Sequence, residues 1–269
     1  MDLLPAFTSP PERNRVYVAD SLDYLRSIPR GSVDLVVTSP PYNMGTNING
    51  AEPCSKSASN WGRSKLLSSG YEDYNDAMPH AEYISWQREI LHELMRVIDD
   101  SGAIFYNHKW RIQGGLLDMR SEIVRGFPVR QIIIWNRGTS NNHNRAFFAP
   151  QYEVVYLIAK RGFYINQSST AFGDVWNINP EYGNEHPAPF PLELAERCIA
   201  STTARVILDP FMGSGTTAQA AKNLKRDYMG CDKSPKYVQM TNERLAPIPQ
   251  PIVNADGSAQ LALFTEVAA

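Results

Sequence analysis

The chain has 269 residues, 43 % of them hydrophobic and 20 % charged, with a formal net charge of −2, which is ordinary for a soluble globular protein and enough for one large domain with a substantial core. A balance so close to neutral leaves no general attraction for nucleic acid, so any such surface must be local. No apolar run approaches membrane-spanning length, the start "MDLLPAFTSPPERNR" has no basic-then-apolar leader pattern, and three scattered cysteines (Cys54, Cys198, Cys231) suggest neither a disulfide framework nor a metal site. The expectation is a cytoplasmic protein.

In chain order, residues 16–19 read as a short strand, Asp20-Ser21 as a turn or N-cap, and the following residues as a short helix. Residues 34–37 of "DLVVTSPPYN" read as a buried strand stopped by Ser39-Pro40-Pro41, because proline has no N–H to continue a ladder. Residues 43–76 are polar and rich in Ser, Asn and Gly, as in a functional lid or a disordered stretch. A helix is expected over 81–98, with Tyr83, Ile90, Leu91, Leu94 and Ile98 on one face, ended by "DDSG" before a strand at 103–106. "VRQIIIWN" (129–136) and "YEVVYLIAK" (152–160) read as strands flanking an Asn/Arg-rich loop at 137–148, and 161–185 reads as irregular. Then follow a helix over 191–200, the strand "RVILD", a helix over 216–224, the strand "DYMGCD" and a helix over 235–245. Strands alternating with helices imply a doubly wound α/β fold, its mostly parallel sheet covered on both faces. The tail 247–269 reads as an appendage to the domain 1–246.

"VILDPFMGSGTT" follows a strand and opens a helix. Gly213 and Gly215 let backbone pass close to a ligand, and the helix start offers unpaired N–H groups. Asp232 ends the next strand, where a carboxylate can accept both hydroxyls of a ribose. Together these point to a nucleoside cofactor. No Gly-Lys-Ser/Thr follows, so a phosphate loop is excluded; a dinucleotide site stays open, since Ala218 is allowed by the looser glycine pattern.

The proline corner suits a different task. An exocyclic base amine is a poor nucleophile because its lone pair is delocalised into the ring. Two acceptors on its N–H groups favour a pyramidal nitrogen, and Ser39 Oγ and the Pro40 carbonyl supply them, with Pro41 stiffening the turn and Tyr42 offering a stacking face.

"TSPPY" followed by "DPFMGSG" resembles the amino-methyltransferases of DNA, over most of residues 15–245, in the permuted order of their β class. The resemblance implies the Rossmann-like fold of S-adenosyl-methionine-dependent methyltransferases, with the strands 33–37 and 205–209 side by side. It implies a catalytic set of Ser39, Pro40, Pro41 and Tyr42. It also implies that S-adenosyl-methionine lies against Asp209, Pro210, Phe211, Gly213, Ser214, Gly215 and Thr216. Asp232 would take the ribose, Asp20 would lie near the adenine, Thr38 and Lys233 would belong to the same cofactor site, and "HPAPFP", with Pro187, Pro189 and Pro191, would close over the methionine end. Serine at the first motif position favours cytosine N4, with adenine N6 as the alternative.

Duplex DNA is the implied substrate, met by Asn43, Arg63, Lys65, Arg137, Asn142 and Arg145 in loops at about 43–76, 137–148 and 161–185. A separately acting restriction endonuclease, a homodimer partner and, in a prokaryote, association with the nucleoid go with the same resemblance. In the tail, Gln260-Leu261-Ala262-Leu263-Phe264 resembles the peptide that docks bacterial DNA enzymes on the sliding clamp; a last strand on its own domain is the other reading. Protein-glutamine or RNA methylation fits less well, because those relatives place the glycine turn first and begin the corner with Asn. A nucleotide-dependent oxidoreductase would need an acid/base pair that the chain does not display. Cys54, after Pro53, looks incidental rather than nucleophilic.

Overall fold

The computed structural model of the protein describes residues 7–43, 78–113, 115–138, 145–181 and 190–246, and two short strands beyond them. In chain order the elements begin β1 (Arg15–Val18), α1 (Ser21–Ser27), β2 (Val33–Thr38), α2 (His80–Val97), β3 (Ile98–His108), and the hairpin β4 (Arg111–Gln113) and β5 (Leu116–Asp118). They continue β6 (Val129–Asn136), β7 (Tyr152–Ala159), β8 (Val175–Asn177), α3 (Leu192–Ala200), β9 (Val206–Asp209), α4 (Thr216–Asn223), β10 (Asp227–Asp232) and α5 (Pro235–Leu245). A last pair, β11 (Ile252–Val253) and β12 (Ala259–Gln260), is antiparallel and holds Gln260 of the tail motif.

Eight strands form one sheet in the order β1-β10-β9-β2-β3-β7-β6-β8. Only the pairings of β7, with β3 and with β6, are antiparallel. Side chains alternate across a strand, and the central strands carry consecutive apolar residues, Leu35–Val37 in β2 and Val206–Leu208 in β9, because both faces are covered. Val33 and Val36 of β2 join a core with Tyr24, Tyr83, Ile90, Leu91 and Leu94 of α1 and α2. Leu35 and Val37 join the opposite core, with Leu194, Cys198 and Ile199 of α3 and Ala220 and Ala221 of α4. The doubly wound, mostly parallel sheet expected from the strand–helix alternation is the one observed.

Two local expectations are corrected. Residues 99–102 are not a connection ahead of β3 but part of it; the register with β2 shifts there, between Val33 and Leu35. Asp99 Oδ1 accepts from the Ser101 N–H, and a Cβ on Gly102 would lie 2.8 Å from Ile98 Cβ, so a short irregularity replaces a loop. The segment 161–185 carries an edge strand, β8, whose Trp176 is buried. Cys54, Arg63, Lys65, Asn142, Pro187, Pro189 and residues 261–264 lie outside the described residues. Among the described residues no helix is long and apolar enough to cross a membrane.

Candidate functional site

Strands β2 and β9 are parallel neighbours, with Leu35 opposite Ile207 and Val36 opposite Leu208. The proline corner and the glycine turn therefore leave the sheet side by side at its C-terminal edge, where open α/β sheets bind ligands. A cavity of about 260 Å³ opens there. Ser39, Pro41 and Tyr42 contribute one wall, residues 209–214 and Thr216 another, and Asp20, Asp232 and Lys233 complete the far end. Thr38 and Gly215 lie behind these walls, and Pro191 caps α3.

The glycine turn takes its shape from positive φ at Gly213 (53°) and Gly215 (82°), and Gly215 is the N-cap of α4. Asp232 is aimed by two backbone donors: Gly213 N–H reaches its Oδ2 at 2.8 Å and Ser234 N–H its Oδ1 at 2.9 Å. A carboxylate offers about four acceptor positions, so this orientation does not close it to ribose hydroxyls. Asp20 caps α1 by accepting from Leu22 N–H at 2.9 Å. Trp86 meets Phe211 edge-on, with centroids 5.7 Å apart, and Phe190 and Tyr237 add further rings to the wall. Aromatic rings, two carboxylates and a glycine turn make a donor set that fits a nucleoside.

The corner is clamped from behind. The Pro41 carbonyl accepts from Tyr83 Oη at 2.9 Å and Gln87 Nε2 at 3.3 Å, both on α2. Arg120, after the β4–β5 hairpin, donates to the Tyr42 carbonyl at 2.6 Å, and Arg111 to that of Asn43 at 2.6 Å. Among the described residues no hydrogen bond reaches the Pro40 carbonyl. Of four successive carbonyls three are thus held, and that of Pro40, a buried residue that is not among those lining the cavity, is not.

Ser39 Oγ lies 2.8 Å from Tyr42 Oη, which donates to Glu153 Oε2 at 3.1 Å. Asn107 Nδ2 is 2.5 Å from the same phenol oxygen. His108 and Lys109 continue this polar strand end. Burial, aided by Arg120, lowers the His108 pKa to about 3, so the ring is neutral beside Tyr83. Burial also pulls the Lys109 ammonium down to about 8, against the attraction of Glu153.

Two residues expected at DNA have other tasks. Asn43 is buried; its side chain donates to the Met78 carbonyl at 2.8 Å and accepts from the Met78 N–H at 2.7 Å. Arg137 is turned inward onto Glu153 Oε1 at 3.2 Å. Polarity in a loop predicted solvent in both cases, and a buried partner took the side chain instead. Arg145 is exposed. Tyr83, Gln87, Asn107, Arg120 and Glu153 were not singled out as site residues from sequence. A charged residue inside the apolar run "YEVVYLIA" was the available signal for Glu153.

The sequence model of a family described as DNA methylase matches residues 33–243. The type II methyltransferase M.BglII of Bacillus subtilis is 30 % identical, over 88 % of this chain and 70 % of its own. The DNA adenine methyltransferase YhdJ of Escherichia coli (strain K12) is 24 % identical, over 87 % of this chain and 83 % of its own. Among solved structures, the cytosine-N4-specific PvuII DNA methyltransferase superposes with a TM-score of 0.67 at 18 % identity, covering 89 % of this chain and 88 % of the other. A Thermus thermophilus protein described as a putative DNA modification methylase, in complex with S-adenosyl-L-methionine, gives 0.60 at 24 % identity, covering 86 % and 92 %. At these identities the two structures speak for the fold.

Proposed function

This chain belongs to the N6/N4 DNA methylase family, and from that premise we propose that it moves a methyl group from S-adenosyl-methionine to the N4 amine of a cytosine in duplex DNA. The observation that carries the reading is the shared cavity: Ser39 and Tyr42 of the corner open into the space lined by the glycine turn and Asp232. When bound, S-adenosyl-methionine supplies an activated methyl group. Asp232 takes the ribose hydroxyls and Asp20 lies on the adenine side, while the rings of Trp86 and Phe211 exclude water. Ser39 Oγ and the unclaimed Pro40 carbonyl accept the two amine N–H groups and turn the nitrogen lone pair out of the base plane. Tyr42 offers its ring to a base taken out of the helix. Arg145, with Arg63, Lys65 and Asn142, is assigned to the DNA backbone and base edges.

Mass spectrometry of nucleosides from DNA treated with the protein tests the assignment. N4-methylcytosine is the expected product. N6-methyladenine without it would move the assignment to adenine, a reading that the similarity to the E. coli adenine enzyme supports. The corner would hold either amine in the same way.

A further inference from the structure

Glu153, near the start of β7, is buried, and its carboxylate is held by polar groups. Its Oε1 pairs with Arg137 at 3.2 Å; its Oε2 accepts from Tyr42 Oη and from Asn107 Nδ2, each at 3.1 Å. Lys109 is the second cation that it feels. A carboxylate paired with a guanidinium has no hydrogen to give, so the phenol hydrogen makes the Tyr42–Glu153 bond. The Tyr42 oxygen then meets Ser39 with lone pairs only, and Ser39 must donate its single hydrogen across their 2.8 Å contact. The chain is therefore directed, Ser39 to Tyr42 to Glu153. Asn107 Nδ2 also reaches the Ser39 oxygen, at 3.3 Å, which leaves that oxygen one further acceptor position at the cavity wall.

We propose that Glu153, acting through Tyr42 and Ser39, is a positioning residue that holds Ser39 as an acceptor and takes the proton lost by the methylated amine. The inference rests on the methyl transfer proposed above. The amine lone pair forms the new nitrogen–carbon bond while the carbon–sulfur bond breaks, its electron pair staying on sulfur. The nitrogen, now positively charged, gives one proton to Ser39 Oγ. The Ser39 hydrogen passes to the Tyr42 oxygen, and the phenol hydrogen passes to Glu153 Oε2. One proton moves from amine to carboxylate, both hydroxyls are restored, and no other reactant is needed. Ser39 alone has no such outlet, since a protonated alcohol is a strong acid; the buried carboxylate supplies one.

The test is a single-turnover measurement of labelled methyl transfer from S-adenosyl-methionine into enzymatically amplified, hence unmethylated, genomic DNA, with calorimetric cofactor binding alongside. Glu153→Gln keeps the shape of the side chain, and Tyr42→Phe keeps the ring but not the hydroxyl. Each is expected to slow transfer about 100-fold, the range of a positioned acid–base group, with cofactor affinity within about threefold. Because both cuts break one chain, the double variant is expected to be no slower than the slower single one, where independent structural damage would multiply. Glu153→Asp, which keeps the charge, should recover part of the loss. Transfer by Glu153→Gln within about threefold of the unaltered protein, or multiplying effects in the double variant, overturns the inference and leaves the methyltransferase reading intact. If Glu153→Gln fails to bind cofactor, Tyr42→Phe decides alone, and a rate within the same threefold margin overturns the inference. No transfer by the unaltered protein overturns the functional reading, and the inference with it.

Discussion

Thr38 Oγ1 donates to Asp209 Oδ1 at 2.7 Å, joining the last residue of β2 to the last residue of β9. Asp209 also accepts from Thr217 Oγ1 at 2.7 Å and from Phe211 N–H at 3.0 Å. One buried carboxylate thus sets the spacing between the corner that would hold an amine and the turn that would hold a cofactor.

That tie has a pH signature. Burial raises the Asp209 pKa from its ordinary 3.8 to about 6, and the three donors only partly offset it. Between these values the unfolded chain has released the proton and the fold has kept it, so stability falls as pH rises and the loss is complete above about 6. At ~1.36 kcal/mol per pH unit the cost is about 3 kcal/mol. Asp209→Asn cannot ionise. Its thermal midpoint should therefore gain on that of the unaltered protein between pH 4 and 6.5, by roughly 2–4 °C per kcal/mol, whatever constant offset its altered hydrogen bonds bring. A gap that does not vary with pH in calorimetry would refute the assignment.

His108 works in the opposite sense. Its pKa is lowered from 6.5 to about 3, by burial first and Arg120 second. As pH falls through 6.5 the unfolded chain takes up a proton that the fold refuses, so stability is lost progressively toward pH 3, at ~1.36 kcal/mol per pH unit. His108→Gln, with a neutral side chain, should flatten this acid limb in denaturant titrations at pH 4 and 7. An equally steep limb in the variant would place the acid sensitivity elsewhere.

Glycine governs how closely the strands beneath the site can approach. A Cβ on Gly230 would overlap Met212 Cε and lie 2.5 Å from the Asp209 carbonyl, directly across from it in the β9–β10 pair. The methionine can yield; the backbone cannot. Gly230→Ala should cost about 1–3 kcal/mol in chemical denaturation, the range for overpacking. Gly215→Ala combines φ of 82° with contacts of 2.7 and 2.8 Å to Thr241, so a similar loss is expected together with weaker cofactor binding. Unchanged stability in both would mean that the edge is softer than its spacing implies.

The sheet was legible because its central strands carry runs of consecutive apolar residues, as at 35–37 in β2, and its helices carry one apolar face, as in α2. The hairpin Arg111–Asp118 and the edge strand Val175–Asn177 were not, since three residues carry no period. The cavity's acidic and glycine residues announced themselves through local spacing. What holds the corner did not. Tyr42 and Glu153 are 111 positions apart, and Asn107 and Ser39 are 68 apart, so their meeting depends on β3 lying beside β2, and β7 beside β3, in the finished sheet. Asn43 and Arg137 show the converse error, in which polar residues of apparent loops proved to be internal fasteners.

The two ends of the cavity should separate in kinetics. Ser39 stands at the corner end and touches Tyr42, whereas Asp232 stands at the far end, aimed by Gly213 and Ser234. Ser39→Ala removes one of the two acceptors proposed for the amine, which would strengthen as charge develops on the nitrogen; losing one such group is expected to lower turnover by roughly 100- to 1,000-fold. Cofactor affinity, which does not use that oxygen, should change little. Asp232→Asn keeps an acceptor but loses the charge and one acceptor oxygen, so its effect should fall on cofactor affinity, by about 1.5–3 kcal/mol for a hydrogen bond to a charged group, or roughly 10- to 150-fold. Its turnover at saturating cofactor should stay near that of the unaltered protein. Calorimetry with S-adenosyl-methionine, paired with single-turnover rates on DNA, measures both quantities for both variants. Equal losses of affinity and turnover in Ser39→Ala would make the corner a structural feature of the cavity rather than the place where the amine is held.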